Sequence, residues 1–163
     1  MTNFYFFNGV IKMISDLNVG ENEGNAGCYK LISVENELGA VVNFVAGPST
    51  YFVDHVAVSV GDYITGYYDG DAPVPLIYPP QYQALVIVKE STGQNVKVDY
   101  FNSQLVSSDG QLQINIASYT QILLTNGQFF SRIPVNRDLV AIYGAATKSI
   151  PAQTTPYKII VLC

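Results

Sequence analysis

The sequence offers one histidine, His55, two cysteines, Cys28 and Cys163, and thirteen carboxylates from which catalysis or metal binding would have to be built. His55 follows Asp54, but neighbours on an extended chain point to opposite faces, so the pair does not make half of a Ser–His–Asp triad. No Gly-x-Ser-x-Gly elbow occurs to carry a nucleophile. One imidazole and two distant thiols cannot furnish a usual zinc or copper set. Phosphate-cradling loops of the GxGxxG or GxxxxGK[ST] kind are missing as well. Asp69-Gly70-Asp71, with Asp62 nearby, could offer oxygens to calcium, but the closing bidentate Glu of an EF-hand is absent; a plain turn is the simpler reading. The sequence marks out no carboxylate pair for glycoside hydrolysis, and there is no Trp to stack on a sugar ring. The expectation is a protein without enzymatic activity and without a cofactor or metal.

The elements that would position any site read as strands. Hydrophobic residues make up 48% and charged residues 13%, enough apolar material for a packed core and too much for intrinsic disorder. Val96, Val98 and Tyr100 alternate with Lys97 and Asp99, and Leu112, Ile114 and Ile116 alternate with Gln111, Gln113 and Asn115. Such period-2 runs predict strands with one face buried. Asp109-Gly110, Asn126-Gly127 and Asn36-Glu37-Leu38-Gly39 sit between such runs as hairpin turns, because these residues accept positive φ.

An internal repeat runs through the chain. Asn43-Phe44 matches Asn115-Ile116, Thr50 matches Thr120, Asp62 matches Asp138, Tyr67 matches Tyr143, and Pro79-Pro80-Gln81 matches Pro151-Ala152-Gln153. The predicted fold is therefore all-β: two related, OB-like Greek-key barrels arising by internal duplication, with a single large β-sandwich as the alternative. The domains are 1–90, with the aromatic N-terminal segment, and 91–163, divided at the short polar stretch 90–95.

Charge is divided between these halves. Residues 1–90 carry ten carboxylates against three lysines, net −7, whereas residues 91–163 carry three against five basic residues, net +2. Eight scattered basic residues exclude a phosphate-backbone surface, so nucleic acid is not an expected partner. No apolar run reaches the ~18 residues of a membrane span, so no membrane insertion is expected. The first residues lack a basic n-region, so no signal peptide is read in this chain and a cytoplasmic address stays open beside a surface one. Phe4, Tyr5, Phe6 and Phe7 can either extend the first strand or add to a neighbour's sheet edge. With Cys28 and the terminal Cys163, which could cross-link copies in an oxidising setting, they are the candidates for self-association. Tyr78 and Tyr82, in the Pro-rich stretch, are the candidates for exposed loop binding.

Three stretches also carry a resemblance. Residues 61–89, with Tyr67-Tyr68-Asp69 and Ala72-Pro73-Val74-Pro75-Leu76-Ile77-Tyr78-Pro79-Pro80-Gln81-Tyr82, residues 95–108, and Ser149-Ile150-Pro151-Ala152-Gln153-Thr154-Thr155-Pro156 are similar to a repeat region of exported clostridial proteins. In those proteins the region often accompanies a copper amine oxidase N-terminal-like domain, a label without oxidase activity attached. The resemblance covers the chain from Gly9 onward, brings no catalytic residue, and implies a cell-surface, spore-surface or extracellular address. The chain departs from it in showing neither a leader nor the companion domain. The resulting expectation is a non-enzymatic surface or self-assembling structural protein, forming filaments or rings by head-to-tail contact with itself. The alternative is a carbohydrate- or peptide-binding module of the cell envelope, with a cell-envelope polymer as partner.

Overall fold

The computed structural model describes residues 1–18 and 23–163, and it divides into two compact units: Phe4–Glu90, and Ser91–Cys163 together with Met1–Asn3. Among the described residues helix is confined to two short 3-10 turns, and the protein is all-β. Each sheet takes its strands from one unit alone, unlike the shared layers of the single-sandwich alternative.

The first unit contains β1 (Phe4–Asp16), β2 (Lys30–Glu35), β3 (Val41–Ala46), β4 (Tyr51–Phe52), β5 (Tyr63–Asp69), β6 (Gln81–Gln83) and β7 (Val86–Lys89). β1 is long enough to serve two neighbours. Its first half runs antiparallel to β5, from Phe4 opposite Asp69 to Val10 opposite Tyr63. Its second half runs antiparallel to β2, and the register slips between Ile11 and Met13, a bulge that bends the strand from one partner to the other. Gly9 sits beside this bend because a Cβ there would lie 2.3 Å from the Glu35 carbonyl oxygen. β2 returns as β3 through a turn in which the Asn36 side-chain oxygen accepts the N–H groups of Leu38 and Ala40.

Residues 81–89 spend their first half on one strand and their second half on another. β6 lies parallel to β3, and β7 lies antiparallel to β5. At the changeover the Ala84 N–H donates to the Val45 carbonyl and the Leu85 N–H to the Tyr67 carbonyl. β4 lies parallel along the other edge of β7. Ile11, Ile32, Val34, Phe44, Ile64, Ala84 and Ile87 form one core, drawing side chains from β1, β2, β3, β5 and β7 and from Ala84 between β6 and β7. Each large aliphatic side chain buried here stabilises the unit by roughly 1.5–3 kcal/mol.

The second unit repeats the plan with β8 (Asn95–Phe101), β9 (Leu112–Ile114), β10 (Gln121–Leu124), β11 (Arg137–Tyr143), β12 (Ala152–Thr154) and β13 (Lys158–Val161). β11 is antiparallel to β8 and to β13, β10 is parallel to β13, and β9 is parallel to β12. The place of β2 is taken by residues 105–108, bridged to Phe101 on one side and Gln113 on the other. A threonine latch recurs too. Thr50 Oγ1 donates to the Ala84 carbonyl and accepts the Gly47 N–H; Thr120 Oγ1 donates to the Pro156 carbonyl and accepts the Ala117 N–H.

The ladders correct the register of the sequence repeat. Phe44 stands opposite Tyr82 as Ile114 stands opposite Thr154, so Phe44 corresponds to Ile114 rather than Ile116. The Tyr67 carbonyl accepts the Leu85 N–H as the Ile142 carbonyl accepts the Tyr157 N–H, so Tyr67 corresponds to Ile142 and Tyr68 to Tyr143. Asp138 corresponds to Tyr63, because their carbonyls accept from Leu162 and Glu90 respectively. Gly66 and Ala141 then occupy one position. A Cβ on Gly66 would lie 2.5 Å from the Phe44 ring, whereas Ala141 shares its core with the smaller Ile114.

In the second unit the Asp109-Gly110 turn is fixed from below by buried Asp99. Its Oδ1 accepts the Tyr100 N–H and the Ser108 hydroxyl, while Asp109 Oδ1 accepts the Ser107 hydroxyl at 2.6 Å and Oδ2 pairs with Lys97. Burial raises the Asp109 pKa, but the hydrogen bonds from Lys97, Ser107 and the Gln111 N–H outweigh it and leave the carboxyl below its usual range.

Candidate functional site

The aromatic residues of β1, β5 and β6 meet at one end of the first core. Directly opposed antiparallel residues share a face, so Tyr5 and Tyr68 lie on the side of the sheet that carries Phe7 opposite Gly66. Gly66 leaves room for the Phe44 ring, which is fully buried and 6.2 Å from Tyr68 and 6.5 Å from Tyr82. Tyr68 and Tyr82 stack face to face, centroids 3.9 Å apart and planes 7° apart. Tyr5 stands at the rim, half exposed, 6.1 Å from Tyr68, with Gly70 packed against its ring. Burial first, and then the hydrogen bond with Tyr82, push the Tyr68 phenol up to about 12, so Tyr68 is neutral at any physiological pH.

From this aromatic base rises the loop of residues 70–80. Val74, Leu76, Ile77 and Tyr78 are all exposed, Leu76 completely. The loop opens on acid: the Asp69 carboxylate accepts the Asp71 N–H, a side-chain turn that commits Asp69 Oδ1 to the backbone. No group of three or more metal-ligating side chains gathers here or elsewhere among the described residues. The second unit has the corresponding loop of residues 144–151, with Ile150 exposed where Tyr78 stands; both residues precede a cis proline.

The structure separates the residues singled out from sequence. Tyr78 is exposed, as expected of a loop residue, but Tyr82 is not in the loop; it belongs to β6, half-buried beneath Tyr68. Phe4, Tyr5, Phe6 and Phe7 are not a free arm. They pair with Asp69, Tyr68, Tyr67 and Gly66 of their own unit, and Phe6 remains exposed on the outer face against Tyr67. Cys28 and Cys163 are free, exposed thiols; Cys28 Sγ donates to the Gly24 carbonyl at 3.7 Å. His55 lies in a 3-10 turn with its ring edge-on to Tyr51.

Two features of the second unit escaped the sequence reading. A shallow depression of about 600 Å³ is lined by Asn115, Thr147, Gln153 and Thr155 over Ala145 and Ala146, of mixed polar and apolar surface and without charge. Residues 129–137, after the Asn126-Gly127 turn, place Phe129 and Ile133 largely in solvent beside exposed Arg132. Arg137 lays its guanidinium 4.7 Å over the Phe130 ring, and its buried Nε has no hydrogen-bond partner among the described residues. The only signal for this segment was an aromatic pair and two arginines within nine residues.

Comparison with protein-family models, curated proteins and solved structures finds no match to this chain. No helix among the described residues is long and apolar enough to cross a membrane.

Proposed function

We propose that the chain is a non-enzymatic, self-associating structural protein in which the first unit of one copy meets the second unit of the next. The carrying observation is the loop of residues 70–80, whose four large apolar side chains are exposed on the unit of net charge −7. Exposed apolar side chains grouped in one segment are a mark of association surfaces. The opposite charge of the second unit orients unlike ends toward each other. A contact between unlike surfaces propagates into rings or filaments.

Each unit is, in this proposal, an OB-like Greek-key barrel arising by duplication. In support, β1, β2 and β3 form a meander, β5 returns beside β1, and residues 81–89 join β3 to β5 in one run. The loop of residues 70–80 then occupies the place between the fourth and fifth barrel strands, one of the loops through which OB barrels bind their ligands. A cell- or spore-surface address rests on the resemblance of the Pro-rich stretches alone.

Sedimentation velocity over a range of protein concentrations tests the reading. The expected result is concentration-dependent growth that weakens at high salt and with Leu76→Ser plus Tyr78→Ser. A single monomeric species at every concentration refutes it. The neutral depression over Ala145 and Ala146 favours a second reading, a module for a carbohydrate or peptide, since amides and hydroxyls match the donors and acceptors of either.

A further inference from the structure

We infer that the mate of the 70–80 loop is the segment of residues 129–137 on the second unit of another copy. This deepens the self-association reading and rests on it. The two surfaces are complementary in three respects. First, both are apolar and solvent-facing: Val74, Leu76, Ile77 and Tyr78 on one, Phe129 and Ile133 on the other. Second, their charges are opposite. Asp69 and Asp71 lead into the loop, while Arg132 and Arg137 flank Ile133 and take part in none of the salt bridges found among the described residues. Third, the loop is stiff where the segment offers an exposed aromatic ring. Residues 72–76 carry prolines at 73 and 75, which fix φ and hold a segment extended before it binds, so little chain entropy is lost on docking. Pro-rich segments of this kind are received by exposed aromatic rings, as Phe129 provides.

Arg137 holds its guanidinium 4.7 Å over the Phe130 ring, which fixes a positive charge at the end of the receiving segment. Apolar burial holds the contact, and Asp71 facing Arg132 sets its orientation. One surface lies on each unit, so every copy offers one end of each kind and the contact is heterologous.

The test is sedimentation velocity on the full chain, with Asp71→Arg and Arg132→Glu made separately and circular dichroism confirming that each folds. Both positions are exposed. Each single variant is expected to weaken self-association roughly tenfold through like-charge opposition. Mixing the two variants is expected to give a complex that neither forms alone, because the reversed loop of one then meets the reversed segment of the other. If the parent chain associates and both variants associate as strongly, the contact lies elsewhere and this inference falls while self-association stands. If the variants weaken association but the mixture does not restore it, the two residues do not face each other and the inference also falls. If the parent stays monomeric throughout, both readings fall.

Discussion

Gly66→Ala tests whether the core of the first unit is matched to its glycine. A Cβ at that position lies 2.5 Å from Cε2 and Cζ of Phe44, where carbon atoms rest about 3.5–4.0 Å apart. The ring has no easy retreat, since Phe44 is fully buried and borders both Tyr68 and Tyr82. Overpacking of this kind costs about 1–3 kcal/mol. Replacing glycine also stiffens the unfolded chain, which returns about 0.5–1 kcal/mol. The net loss expected is therefore about 1–2 kcal/mol. Phe44→Ile alone removes roughly one methylene of volume and costs about 1 kcal/mol. The double variant reproduces the Ile114 and Ala141 pair of the second unit. It is expected within about 1 kcal/mol of the parent, a favourable coupling of about 1–2 kcal/mol. Urea unfolding followed by near-ultraviolet circular dichroism reads the first unit through its stacked tyrosines, and unchanged m-values license the comparison. If the two losses simply add, Phe44 and Gly66 are not fitted to each other and the correspondence with Ile114 and Ala141 carries no packing meaning.

Two further outcomes follow from the hydrogen-bond pattern. Thr50→Val and Thr120→Val should each cost about 1–2 kcal/mol in chemical unfolding, because each leaves a carbonyl and an N–H without the hydroxyl between them; Thr→Ser at either place should retain most of the stability. Asp109 titrates lower folded than unfolded, so its contribution is complete above the unfolded value near 3.8 and is lost as pH falls from there through the folded value. Urea midpoints at pH 6 and pH 3 should therefore differ less in Asp109→Asn than in the parent; an equal difference would remove Asp109 from the acid response.

The turns were legible in the sequence because their chemistry is local. Gly39, Gly110 and Gly127 adopt positive φ, as the Asn36-Glu37-Leu38-Gly39, Asp109-Gly110 and Asn126-Gly127 turns require. β9 was legible because one face of it is buried, Leu112 and Ile114 with Gln113 between them, whereas β8 alternates in sequence but not in burial, since adjacent Val98 and Asp99 are both buried and Phe101 enters the core. β1 was not legible, because aromatic residues occupy both faces of its first half and a bulge shifts the period in its second. The repeat was matched by like residues, Tyr67 with Tyr143 and Asp62 with Asp138, whereas hydrogen bonding sets the true register. The offset is 70 at Thr50 and Thr120, 72 at Ala84 and Pro156, and 75 at Tyr67 and Ile142, so loops of unequal length slide identities out of step. Tyr82 was misplaced for a related reason: Pro79-Pro80 looked like the middle of a loop, and only the pairing of β6 with β3 brings Tyr82 under Tyr68.

The strands that flank β5 have a mechanical meaning. β1 and β7 are both antiparallel to β5, so they run in the same direction on either side of it. Pulling the chain of the first unit apart at Phe4 and Glu90 loads β1 at its start and β7 at its end. It therefore draws those two strands in opposite senses along β5. The hydrogen bonds of each ladder are loaded together rather than opened one after another from an end. β8 and β13 bear the same relation to β11. Both units are thus loaded in shear, rather than unzipped bond by bond, when the chain is pulled through them.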